Sequence, residues 1–297
     1  MELSKAVLGW IGTGVMGKSM CGHLLKKGYN LSVYNRSRTK TDDLLKLGAK
    51  YMTPLEMAQH CDIIFLMVGY PKDVEEIVLN QDTGILRKMK KNSFLIDHTT
   101  SSPSLAQEIF KVGTELGVNC LDAPVSGGDI GAREARLVVM TGGDKTSFEQ
   151  IKPIIESYSA KISLMGPAGM GQHTKMANQV IISSTMIGMV EGLLYAYKAG
   201  LDQNDVISLL SEGAAGSFSL KVYGPRIMKR DFEPGFYVEH FVKDMEIALN
   251  ESKRMNLNLR GLELALEFYK IMIEDGLGKK GTQGLYLCLE KLNKINI

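Results

Sequence analysis

Apolar residues gather in short unbroken runs through the first half of the chain and in long helix-period stretches through the second. Strands are predicted at 6–11, 31–34, 62–68, 93–97, 118–123, 137–140 and 162–165, and the apolar run within 62–68 lacks period-2 alternation. Such a run suits a strand covered on both faces, the state of a parallel sheet. Helical patterns separate several of them, at 15–27, 44–46, 55–59 and 73–79. Strand–helix alternation over 1–165 therefore predicts an α/β, mostly parallel, doubly wound sheet. After the cluster Gly166-Pro167-Ala168-Gly169 no further β-run follows. Helices are predicted over 172–199, 202–211, 238–254, 262–274 and 283–292, giving an all-α second domain. The expected division is 1–165 and 166–297, the second domain beginning with a long interdomain helix. No solenoid-period repeat or low-complexity tail interrupts this pattern.

The longest apolar stretch, 176–196, approaches the length of a membrane span. It contains Asn178, Gln179, Ser183, Ser184, Thr185 and Glu191 and lacks basic flanks and aromatic belts, so a helix covered by protein is expected. A net charge of +2 argues against nucleic acid or an acidic membrane as the main partner. The four cysteines, Cys21, Cys61, Cys120 and Cys288, form no CxxC pair, which fits reduced thiols and no metal site. The first strand follows the start closely, and a cytoplasmic location is the expectation.

Chemistry enters at Gly12-Thr13-Gly14-Val15-Met16-Gly17, between a strand and a helix. Backbone N–H groups and the positive end of a helix dipole meet at such a turn and hold a pyrophosphate. The next strand ends at Asn35-Arg36-Ser37-Arg38, where an acid selects the ribose of NAD and an arginine accommodates the phosphate of NADP. No acid is present, so NADP(H) is preferred and NAD(H) is possible. A solvated basic loop is the alternative.

Further places invite function. His98, in the hydroxyl-rich segment 98–103, is either a general base or a structural histidine at a strand end. Ser126-Gly127-Gly128 is either a backbone nest for a carboxylate or a tight connection. Lys175 and Asn178 share one helix face. Beside Met176, Ala177 and Val180 the lysine loses hydration, which tunes it for proton transfer; a lysine snorkelling from a helix end is the other reading. Lys243-Asp244 carries the same ambiguity. Composition alone favours a core role for Phe232, Phe236 and Tyr237. The loop 213–219 borders a substrate tail or merely connects helices.

Together the glycine motif, Asp122-Ala123-Pro124-Val125-Ser126-Gly127-Gly128, the segment from Gly169-Met170-Gly171-Gln172 through Lys175 to Asn178-Gln179, and Lys243-Asp244-Met245 resemble the β-hydroxyacid dehydrogenase family over essentially the whole chain. The resemblance implies a Rossmann domain followed by a helical substrate and dimerisation domain. It implies Lys175 as catalytic acid/base with Asn178 as its polar companion, and Ser126, Gly127 and Gly128 as binders of the substrate carboxylate. Thr100, Phe236 and Asp244 match substrate-side positions. Gly12, Thr13, Gly14, Val15, Met16, Gly17, Asn35, Arg36, Ser37, Met67, Val68, Gly69, Asp73, Thr100 and Lys243 match the cofactor side.

This chain departs from the family pattern twice. Gln179 stands where a second asparagine is usual, and Val68-Gly69-Tyr70-Pro71 replaces a Leu-Pro. The implied reaction is hydride transfer between NADP(H) and a short β-hydroxyacid/semialdehyde or 2-oxo acid pair of the 3-hydroxyisobutyrate, glyoxylate or succinic semialdehyde type. A non-catalytic NADP-binding protein and an imine reductase are the alternatives on the same scaffold. The expected partners are a small carboxylate-bearing substrate and further copies of the chain, as a homodimer or homotetramer, with neither nucleic acid nor membrane.

Overall fold

The unbroken run Ile63–Leu66 is fully buried, and its side chains divide alternately between two cores. Ile63 and Phe65 join Leu8, Trp10 and Ile96 in one cluster; Ile64 and Leu66 join Ile11, Val74 and Leu95 in the other. Successive side chains of a strand point to opposite faces, so a run with no polar member needs a covered sheet on both sides. The structure, a computed structural model, describes residues 5–295.

The chain divides into two units, Met1–Lys175 and Met176–Ile297. In the first, the strands are β1 (Val7–Ile11), β2 (Asn30–Tyr34), β3 (Lys50–Tyr51), β4 (Ile63–Leu66), β5 (Phe94–Asp97), β6 (Asn119–Asp122), β7 (Val125–Ser126), β8 (Leu137–Gly142) and β9 (Ser159–Gly166). The helices between them are α1 (Val15–Lys26), α2 (Asp42–Lys46), α3 (Pro54–His60), α4 (Pro71–Leu79), α5 (Pro103–Leu116), α6 (Gly128–Arg133) and α7 (Lys145–Ile155). Among the described residues the sheet order is β3-β2-β1-β4-β5-β6-β8-β7, with β9 also on β8.

Pairing is parallel from β3 through β6, as the alternation predicts. β8 then runs antiparallel to both β6 and β7. The segment between β7 and β8 holds only the one short helix α6, too little chain for the crossover of a dozen or more residues that a parallel return needs. Three helices, α5, α6 and α7, stand where the apolar pattern assigns none. Local capping fixes two of them. Ser102 Oγ accepts Leu105 N–H at 3.2 Å ahead of Pro103, and Asp144 Oδ2 accepts Ser147 N–H at 2.8 Å.

The second unit is helical. The helix α8 (Met170–Lys198) carries the chain into it, followed by α9 (Gln203–Leu210), a π-helical turn (Ser219–Tyr223), α10 (Gly224–Met228), α11 (Val238–Arg254), α12 (Arg260–Glu274) and α13 (Leu285–Leu292). Val190, Ile227, Phe241, Met245, Tyr269 and Leu285 form the centre of its core. By length and composition α8 passes for a membrane span, and 44% of its most apolar window is buried within the protein. The loop 213–219 leads into the π-helical turn, where Ser217 Oγ accepts Leu220 N–H at 3.1 Å, and Phe218 is exposed.

Candidate active site

Two of the three glycines in the turn after β1 are dictated by the protein's own packing; the third is not. Gly12 has φ +101°, and a Cβ there would lie 2.1 Å from Met67 O. At Gly17 a Cβ would lie 2.0 Å from Gly12 O and 2.9 Å from Trp10 Nε1. At Gly14 it would meet nothing within 4 Å. A glycine facing open space at the start of a helix fits the close approach of a ligand's phosphate to the backbone. No side chain caps α1, and its first turn holds no acid, so no carboxylate of the protein competes for those N–H groups. The residues thus fit a dinucleotide's pyrophosphate. Val15 is half exposed and Met16 partly buried beside the core.

Asn35 ties this turn to the end of β2. Its Oδ1 accepts Thr13 N–H at 3.1 Å, its Nδ2 donates to Ser37 O at 3.1 Å, and Thr13 Oγ1 donates to Lys40 O at 3.1 Å. Arg36 and Ser37 are exposed beyond it. Arg38 lies over the Tyr51 ring, 4.7 Å from its centroid, so the two arginines of this loop are placed differently.

The next segments of the same sheet edge are pinned by backbone and side-chain hydrogen bonds. Met67 N–H donates to Ile11 O at 2.9 Å, and Val68 N–H to Thr99 Oγ1 at 3.0 Å. Gly69 follows, and Asp73 Oδ2 accepts Tyr70 N–H at 3.1 Å, so that carboxylate caps α4. Thr99 N–H donates to Asp97 Oδ1 at 2.9 Å. Gln172, wholly buried, accepts Ser101 N–H at 3.0 Å through Oε1 and donates to Thr99 O at 2.7 Å through Nε2. Thr100 therefore sits between two anchored neighbours.

Asp122, at the end of β6, staples the start of α8. Its Oδ1 accepts Gly169 N–H at 2.7 Å and its Oδ2 accepts Gln172 N–H at 2.8 Å. Burial pushes its carboxyl above the usual range, against the downward pull of those N–H groups. The fit leaves no room for side chains: a Cβ at Gly142 would lie 2.6 Å from Asp122 Oδ1, and one at Gly171 2.4 Å from Met140 O. Asp122 and Gln172 stand inside the motifs quoted above, yet sequence reasoning assigned them no task. A helix N-terminus preceded by glycines beside a lone aspartate at a strand end was the available signal.

Lys175 follows on the next turn of α8 and is 7% exposed, far from the open position of a snorkelling lysine. Ser126 ends β7. Gly127 (φ +124°) and Gly128 (φ +63°) both take left-handed backbone, and a Cβ at Gly128 would meet nothing within 4 Å. That is the geometry in which consecutive N–H groups converge on an anion. β7 runs in the same direction as β6, so Gly12, Asn35, Met67, Thr100 and Ser126 all follow strand ends on one edge of the sheet, where open α/β sheets bind ligands.

His98 is structural. Its Nδ1 faces Ala123 O at 2.6 Å, its Nε2 faces Tyr158 Oη at 2.8 Å, and its ring stacks on Trp10 and Phe65. Burial pushes its pKa down to about 4, and burial pushes the Tyr158 phenol up, so Tyr158 donates to a neutral imidazole.

In the second unit four polar residues form a row, Gln179 and Asp244 buried and Asn178 and Lys243 partly so. Asn178 Nδ2 donates to Gln179 Oε1 at 2.7 Å, Gln179 Nε2 donates to Asp244 Oδ2 at 2.5 Å, and Lys243 Nζ lies 2.9 Å from Asp244 Oδ1. Phe236 is partly buried, its ring 5.4 Å from that of Phe241. No group of three or more potential metal ligands occurs among the described residues.

Comparison with known proteins gives this arrangement its context. Residues 7–166 match the family model described as the NAD binding domain of 6-phosphogluconate dehydrogenase. Residues 169–289 match that described as NAD-binding of NADP-dependent 3-hydroxyisobutyrate dehydrogenase. The chain is 48% identical over 295 residues to the "Probable 3-hydroxyisobutyrate dehydrogenase-like 1, mitochondrial" of Arabidopsis thaliana, covering 99% of this chain and 88% of that one. It is 37% identical over 284 residues to the 2-hydroxy-3-oxopropionate reductase of Escherichia coli, covering 95% and 97%. The solved 3-hydroxyisobutyrate dehydrogenase of Mycobacterium tuberculosis with L-serine superposes with a TM-score of 0.86 at 23% identity, covering 96% of this chain and 99% of that one, which shows a shared fold. The chain belongs to the β-hydroxyacid dehydrogenase family, and it is an NAD(P)-dependent oxidoreductase acting on CH–OH groups.

Proposed function

We propose that the enzyme interconverts a short β-hydroxyacid and its semialdehyde, or a 2-oxo acid and its alcohol, with NADP(H) and with Lys175 as general acid/base. The observation that carries the reading is Lys175 itself: a lysine 7% exposed, one helical turn beyond the Asp122 and Gln172 staple. The nicotinamide, when bound, supplies or takes up the hydride. The N–H groups from Gly12 to Gly17 receive the pyrophosphate, Met67, Val68, Gly69, Asp73 and Lys243 flank the cofactor, and Asn35, Arg36 and Ser37 meet its adenosine end. Arg36, with no acid beside it, supports NADP(H) over NAD(H).

Ser126 and the two left-handed glycines hold the substrate carboxylate, and Thr100, Phe236 and Asp244 border the substrate. Lys175, as ammonium, gives its proton to the carbonyl oxygen in reduction; as neutral amine it takes the hydroxyl proton in oxidation. Residues 1–165 form the NADP-binding domain and 166–297 the substrate and dimerisation domain. The exposed Ile181, Tyr195 and Leu209 support a homodimer or homotetramer, which light scattering reads. A cytoplasmic location is part of the same proposal.

The test follows NADPH and NADH absorbance against glyoxylate, succinic semialdehyde, methylmalonate semialdehyde, 2-hydroxy-3-oxopropionate and a cyclic imine. Turnover of a carboxylate-bearing carbonyl with NADPH favoured is expected. Turnover of the imine alone, or of nothing, refutes the reading. Lys175→Ala is expected to lower kcat by about 10²–10⁴-fold with NADPH affinity unchanged. Near-wild-type turnover removes the lysine from the chemistry.

A further inference from the structure

Gln179, where family resemblance leads one to expect asparagine, is wholly buried and joined at both ends of its amide. A carboxamide has one accepting end and one donating end. Turned over, Gln179 would set its oxygen against the Asp244 carboxylate and its NH₂ against the Asn178 NH₂. Both repulsions would fall in a buried place, Asp244 being 1% exposed, where polar mismatches cost most. The row is therefore read in one direction: Lys243 ammonium, Asp244 carboxylate, Gln179, Asn178. Polarity is what reaches its far end. Asn178 has its NH₂ engaged with Gln179 Oε1, which leaves Oδ1 as the accepting end of that amide.

We infer that Gln179 is a positioning residue that presents Asn178 as a hydrogen-bond acceptor, so that Asn178 orients the Lys175 ammonium rather than an oxygen of the substrate. This rests on the reading of Lys175 as the acid/base. Lys175 precedes Asn178 by three residues on the same helix face. An acceptor beside it favours the charged form, the form that gives up a proton in the reduction direction. A substrate carbonyl or carboxylate needs a donor instead, and the row already commits one N–H of the Asn178 amide to Gln179.

Wild type, Gln179→Glu, Asp244→Asn and the double variant form the test. Gln179→Glu sets two carboxylates face to face. In the double variant the introduced glutamate accepts from both neighbouring amides, so the row again carries one negative charge and Asn178 again donates to residue 179 without a facing carboxylate. For Gln179→Glu we expect kcat to fall about 10–100-fold, the coupling of groups in contact, with the KM for NADPH unchanged and the double variant recovering most of the loss. Gln179→Leu, which removes the polarity, is expected to move the basic limb of the kcat profile for reduction to lower pH.

Wild-type kcat in Gln179→Glu, or a double variant no better than the worse single, overturns the inference. Melting temperatures are read on the same proteins. Recovery of Tm without recovery of kcat makes the row merely structural and also overturns it. A wild-type enzyme that turns over no carbonyl refutes the lysine reading and this inference with it; an active wild type with a flat cycle refutes this inference alone.

Discussion

Gly14→Ala separates cofactor binding from folding. The residue has φ −70° and ψ −163°, which alanine adopts without strain, and its Cβ would meet nothing within 4 Å. Two small stability effects oppose each other. Replacing glycine stiffens the unfolded chain and stabilises by about 0.4–1 kcal/mol. Losing glycine at the cap of α1 costs a similar amount, since alanine is a poorer N-cap by roughly 0.5–1 kcal/mol. The net change is expected to stay within about 1 kcal/mol. The methyl does enter the space where a pyrophosphate approaches the backbone, and NADPH affinity is expected to fall about 10–100-fold, or roughly 1.4–2.7 kcal/mol. Trp10 is the reporter: the sole tryptophan of the chain, wholly buried, its Nε1 donating to Gly12 O at 3.0 Å. Its fluorescence is titrated with NADPH, and melts in urea are followed on the same signal. Gly17→Ala is the control, because its Cβ would fall 2.0 Å from the backbone oxygen of Gly12 and must destabilise by about 1–3 kcal/mol or more. Wild-type NADPH affinity in Gly14→Ala, or a loss of affinity that merely follows a loss of stability, refutes the reasoning.

Asp122→Ala removes the acceptor for two buried N–H groups at the start of α8 and is expected to cost about 2–5 kcal/mol in urea unfolding, with kcat reduced as well; a loss under 1 kcal/mol would show that water takes over the staple. His98 gives a pH signature. Its folded pKa, pushed from 6.5 to about 4, means the folded state binds fewer protons, so its contribution is complete above 6.5 and is lost as pH falls toward 4, by about 3 kcal/mol in all. His98→Gln should be less stable throughout yet show a flatter slope between these pH values, and an unchanged slope would point to another titrating group.

The double winding was legible because its physical cause is written in consecutive residues. A strand buried on both faces must be apolar at every position, and Ile63–Leu66 meets that condition with alternate side chains in two different cores. The antiparallel β8 was less legible: direction depends on how much chain separates β7 from β8, and Leu137–Met140 has the same apolar texture as a parallel strand. Helices α5 and α7 escaped for another reason. Their starts are set by single capping contacts from Ser102 and Asp144, which are weak signals until the partner N–H groups are in place.

At the site, glycine and lysine were readable and their supports were not. Three glycines at motif spacing announce a phosphate turn, but only coordinates separate Gly12 and Gly17, compelled by Met67 O and Gly12 O, from Gly14, which faces open space. Likewise Lys175 stands out as a charge among apolar neighbours, whereas Asp122 and Gln172 look like ordinary polar residues. What gives them their roles is contact across 47 to 73 positions of sequence. Gln179 shows the limit most sharply. Read along the chain it is an amide of the expected kind in the expected place, longer by one methylene. Its consequence lies 65 residues away, at Asp244, and consists of a direction of donation rather than of a residue type. A pattern of residue types cannot encode such a direction; the buried carboxylate imposes it, because only one orientation of the amide avoids setting oxygen against oxygen.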